Sequence, residues 1–166
     1  MKVIQRIFCT LLVLYALQSC QYNDICTAEV PTTPKLRIEF HDQQRPGLLK
    51  AAESFNVRAL GDTAYYFSAP INDTTAAIPL RTDKKETAYE LIFHQGDSLE
   101  TKRDTLIFTY NTDEIFISRA CGFKSIFTDF DVTYTPTSKG WIKNIQIPDT
   151  TKRITDDTKA ALFIYF

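Results

Sequence analysis

The residues of this 166-residue chain best suited to chemistry are four cysteines and two histidines. Cys20 and Cys26 stand six positions apart in LQSCQYNDIC, directly behind an apolar run. Such a pair suits a redox couple, two metal ligands, or two cysteines with unrelated roles. Zinc fits poorly, because structural sites gather four sulfur or nitrogen ligands at regular spacings. Cys9, Cys121, His41 and His94 are instead scattered. Acyl transfer needs a nucleophile activated by a neighbouring base, and the chain has no G-x-S-x-G stretch. His41 has Glu39 and Asp42 nearby and His94 has Asp97; each histidine is read as lying on the wet face of a strand. Asp129 and Asp131 would project from one strand face and could share a cation. Calcium takes six to eight oxygens, so the two read as a solvated face. No catalytic residue, metal or cofactor is assigned, and the chain is not read as an enzyme.

The elements that would carry these residues begin with the N-terminus. Lys2 and Arg6 precede IFCTLLVLYAL, residues 7–17, which is free of charge. A positive segment before a short apolar one is the pattern of a secretory signal. The run is about half the roughly 20 residues of a membrane-spanning helix. Leu17-Gln18-Ser19-Cys20 then resembles the lipobox of bacterial lipoproteins, with cleavage between Ser19 and Cys20 and a diacylglycerol on the Cys20 sulfur. One acyl chain anchors only marginally, while two or more hold firmly. Cys9 leaves with the signal and Cys20 is modified, so Cys26 and Cys121 remain. Export places them where disulfides persist. A Cys26–Cys121 bridge is favoured over two buried thiols, with the Cα separation deciding.

Behind the signal (1–19), residues 20–34 read as a tether stiffened by Pro31 and Pro34. A domain is expected over 35–166. Leu36, Ile38 and Phe40 alternate with Lys35, Arg37, Glu39 and His41, the period of a strand with one wet face. Further strands are expected at 55–60, 64–68, 76–80, 87–95, 104–110, 114–120, 123–135, 141–147 and 160–166. Residues 71–73 read as loop, and Asn111-Thr112-Asp113 as a hairpin turn. In 123–135, Phe127, Asp129 and Asp131 fall on one face, a possible contact surface. About nine short strands exceed a usual open sheet. They predict an all-β, antiparallel two-layer sandwich of immunoglobulin-like type. A small outer-membrane barrel is disfavoured, since its strands need about 9–11 residues.

Asp24-Ile25-Cys26, Pro34 to Asp42 and Ser118-Arg119-Ala120-Cys121-Gly122-Phe123, together with the lipobox, resemble an uncharacterised lipoprotein family of Bacteroidota. The resemblance spans nearly the whole mature chain and carries no assigned activity or catalytic residue. It implies an envelope partner, because the family's genes tend to neighbour one for an outer-membrane protein. Surface display in these bacteria tends to follow an acidic cluster behind the lipidated cysteine. Only Asp24 stands there, so either face of the outer membrane remains open.

Nineteen basic and twenty acidic residues give −1; without Lys2 and Arg6 the balance is 17 against 20, or −3. With no basic stripe, nucleic acid is not an expected partner. Tyr65-Tyr66-Phe67 and Trp141 offer the aromatics of a sugar-stacking platform, although aromatics of a sandwich mostly form its core. Asn72-Asp73-Thr74 matches a glycosylation sequon, a spacing common by chance. The expected role is therefore a lipid-anchored envelope protein that acts by binding, most plausibly as accessory subunit to an outer-membrane protein. A glycan-binding module is the alternative, and a hydrolase is disfavoured.

Overall fold

The computed structural model describes residues 25–27, 30, 32–136 and 138–166. Ser19 and Cys20, the expected cleavage and lipidation positions, lie outside them. The chain divides into two compact units. Residues 32–115 and 124–166 form one, and residues 116–123 with the described residues of the N-terminal segment (25–27 and 30) form the other.

The protein is all-β, with no helix among the described residues. Its strands are β1 (Leu36–His41), β2 (Ala52–Ala59), β3 (Ile71–Asp73), β4 (Thr75–Ile78), β5 (Glu86–Phe93), β6 (Lys102–Ser118), β7 (Gly122–Tyr134), β8 (Asn144–Gln146) and β9 (Leu162–Tyr165). They form two sheets, ordered β4-β1-β9-β8 and β3-β2-β5-β6-β7. The alternation of β1 puts Leu36, Ile38 and Phe40 in the core. Phe40 meets Phe55 of the other sheet edge-on, with ring centroids 4.9 Å apart. Each such side chain contributes about 1.5–3 kcal/mol when fully buried. The tether merges into this packing: Pro34 is buried, and the Thr33 hydroxyl accepts the Ser125 N–H at 3.1 Å.

Several expectations from the sequence are corrected. The ladder between β1 and β9 is parallel, pairing Ile38 with Leu162, so the sandwich is not wholly antiparallel. The expected hairpin at Asn111-Thr112-Asp113 is absent. β6 runs straight through it, because these side chains bond across to β7 instead of closing a turn. Asn111 Nδ2 donates to Asp129 at 2.8 Å, and the Thr128 hydroxyl donates to Asp113 at 3.3 Å. The strand expected at 64–68 is irregular, since the Asn56 amide takes both the N–H and the carbonyl of Phe67. The edge ladder with β2 forms later, at Ile71–Asp73, where a loop was expected. Only Asn144–Gln146 of the expected strand 141–147 pairs in a ladder.

A buried carboxylate explains that last difference. Asp104 of β6 is sealed from solvent and accepts the N–H groups of Trp141 and Ile142 at 2.7 and 2.9 Å. The Tyr134 hydroxyl lies 2.8 Å from the Ile142 carbonyl and 3.3 Å from Asp104. Burial first, then the Asp104 charge, push the Tyr134 phenol up to about 12. Gly140 leaves room for this arrangement, because a Cβ there would overlap the Asp104 carboxylate. Charged acceptors of this kind contribute more than neutral ones, and removing one strands its donors. Asp104→Ala is therefore expected to lower unfolding free energy by roughly 2–4 kcal/mol. Gly140→Ala should destabilise in the same direction through the clash. Urea denaturation checks both, and a wild-type midpoint for Asp104→Ala would remove this role.

Candidate functional site

The contact surface expected on β7 loses one of its three residues. Phe127 is 0% exposed and packs on Tyr110 with ring centroids 5.0 Å apart. Phe130, three positions on, is buried against Phe108. Asp129 between them has φ +53°. That left-handed backbone inserts an extra residue into the alternation, as a bulge does, and so turns Phe127 into the core. Asp129 and Asp131 remain exposed but are engaged separately. Asp129 accepts from Asn111, while Asp131 faces Lys152 Nζ at 3.3 Å. The described residues contain no cluster of three or more metal-ligating side chains.

The two histidines serve different surroundings. His41, expected on a wet face, is buried between its neighbours Phe163 and Tyr165. Its Nδ1 lies 3.0 Å from the Pro46 carbonyl, which can only accept, so that nitrogen carries the proton. Residues 42–48 fold over the strand's outer face, held by N–H bonds from Gln44 and Arg45 to Asp42. That cover explains the buried imidazole.

His94 instead lines a cleft of about 590 Å³ with Glu53, Ser54, Asn72, Gln95 and Asp97. Its Nε2 is 3.4 Å from Glu53, and its ring stacks on Phe93. Ser54 and His94 both adopt left-handed backbone, φ +46° and +53°, where β2 and β5 leave their regular ladder. The Asn72 side chain accepts the Ser54 N–H at 2.6 Å. The cleft is open, and the one hydroxyl among its lining residues, that of Ser54, makes no hydrogen bond to His94. Nothing in the local sequence marks this pair of positive-φ residues, because neither is glycine or asparagine.

The aromatic platform is also divided. Trp141 is 3% exposed, stacked on Phe93 and edge-on to Phe166, so it belongs to the core. Tyr65 and Tyr66 stay exposed. Tyr66 and Phe67 line a groove of about 700 Å³ with Lys35, Arg37, Pro70 and Thr75. Lys35 Nζ sits 5.9 Å from the Tyr66 ring centroid, within cation–π range. Lys35 and Arg37 are the outward members of the β1 alternation, so the strand pattern itself could have pointed to them.

Cys26 and Cys121 are joined at disulfide distance, with Cα atoms 5.0 Å apart and a sequence separation of 95. Cys121 lies in the turn between β6 and β7, where its N–H donates to Ser118 Oγ at 3.0 Å. Gly122 follows with φ +70°, a conformation glycine takes without strain. For a loop of 95 residues, chain entropy gives about 4–5 kcal/mol. The Cys26→Ser/Cys121→Ser double variant should therefore unfold at a clearly lower urea concentration. An unchanged midpoint, with both wild-type thiols open to alkylation, would count against the bridge.

Neither the curated proteins nor the solved structures contain a match to this chain. A family profile does match, over residues 54–166. That span runs from β2 to β9 and holds Asp104, Gly140, Trp141 and Cys121. The chain belongs to that family, a family of unknown function (DUF6452).

Proposed function

We propose that this is a lipid-anchored protein of the bacterial cell envelope that acts by binding, as an accessory subunit to an outer-membrane protein. The observation that supports it is the Cys26–Cys121 pair at bonding distance. Paired cysteines of this kind belong to oxidising compartments, in keeping with an export signal that ends at Cys20. In this reading the signal is cut after Ser19 and acyl chains on Cys20 hold the protein to the outer membrane. The mature chain then begins six residues before the disulfide. The resemblance to a Bacteroidota lipoprotein family supplies the expected class of partner. Wild-type protein should incorporate labelled palmitate, sediment with membranes and, after mild cross-linking, bring down one reproducible outer-membrane protein. Cys20→Ala should lose the label and the sedimentation. A labelled Cys20→Ala protein would refute the anchor, and no reproducible partner would refute the subunit role.

The groove beside Tyr66 favours a second reading, glycan binding. An exposed aromatic face flanked by polar groups is the geometry on which sugar rings stack, and the groove volume lies in the ligand range. In that case a glycan array should yield a reproducible hit that Tyr66→Ala weakens at least about tenfold, a loss of roughly 1.4 kcal/mol. A blank array disposes of it.

A further inference from the structure

The unit that joins the N-terminal segment to residues 116–123 has a surface that neither reading above uses. Phe116 and Phe123 flank the β6–β7 turn and pack edge-to-face, ring centroids 5.3 Å apart. They nevertheless remain 56% and 63% exposed, and Ile25, next to the disulfide, is 77% exposed. Arg119 in the same turn is exposed as well. Aromatic rings held open to water around a turn that also carries a cation are unusual on a protein surface and mark a contact site. They are also the composition of a segment that rests in the headgroup layer of a bilayer.

The tether selects the occupant. Cys26 follows Cys20 by six residues, and an extended chain covers at most about 3.6 Å per residue, or roughly 22 Å. The disulfide then ties the turn to that short leash. Resting on the lipid-anchored reading, the turn of every anchored molecule is kept within roughly 22 Å of the bilayer, whatever else the protein binds. We propose that Phe116, Phe123, Ile25 and Arg119 form a membrane-docking tip, which inserts its rings among the headgroups of the leaflet that holds the acyl chains. Arg119 would face lipid phosphates, and the rings would supply a second foothold beside the anchor.

The test uses the full-length acylated protein carrying Phe123→Trp, reconstituted in phosphatidylethanolamine–phosphatidylglycerol vesicles with brominated acyl chains. Phe116→Trp serves as an independent second variant. The native Trp141 is buried and gives a constant background. The introduced indole should shift to the blue and lose roughly half its emission to bromine, as an interfacial residue does. Vesicle flotation is measured on the same samples. Protein that floats with both indoles unquenched overturns the docking tip and leaves the anchor standing. Protein that does not float overturns the anchor, and the docking tip with it.

Discussion

A single buried carboxylate organises the join between the long strands and the C-terminal part of the chain. Asp104 has no cation as partner among the described residues; two backbone N–H groups and a phenol surround it. A charge is tolerated in such a place only when hydrogen bonds replace its hydration. Those bonds fix Trp141 where its indole N–H reaches the Leu91 carbonyl at 3.3 Å. Leu91 is also the residue paired with Asp104 across the β5–β6 ladder. One carboxylate thereby sets the position of the indole against which Phe40, Phe55, Phe93 and Phe166 gather. Apolar packing supplies the bulk of the stabilisation, while Asp104 specifies which way the aromatic cluster is built.

The residues that kept a strict period of two were legible in the sequence. The inward row of β1 and the apolar run of β5 were found where their alternation put them, because a strand with one buried face has little freedom of register. What escaped was set by side chains acting on backbone at a distance. Asn56 takes over the hydrogen bonds of Phe67, so Ala64–Ser68, rich in aromatics, makes no ladder. The left-handed turn of backbone at Asp129 moves Phe127 from an expected surface to the core. Asn111 and Asp113 have turn chemistry, yet they bond to β7 and keep β6 extended. The cover over His41 likewise depends on a loop whose packing no local pattern announces.

The candidate site was legible in a similar measure. Cys26 and Cys121 followed from counting the cysteines expected to remain after processing, and the structure brings them together. Tyr66 was singled out for its chemistry, but its companions Lys35 and Arg37 come from a strand some thirty positions earlier. Trp141 failed as a platform residue because a core that already holds several phenylalanines had a slot for a larger ring. The surfaces thus divide by composition. The groove at Tyr66 is aromatic and cationic, the His94 cleft is polar, and the β6–β7 turn is apolar with one arginine.

The parallel ladder of β1 with β9 sets an order of events. Ile38 meets Leu162 with seven strands of chain between them. As the chain is made, the first strand therefore emerges long before its central neighbour, and only β4 is available to pair with it meanwhile. Contacts so distant in sequence close slowly. The nascent domain must wait, half-assembled and with a sticky edge bare, until the final strand arrives. Shielding of that edge until β9 arrives would favour correct assembly over pairing with another chain.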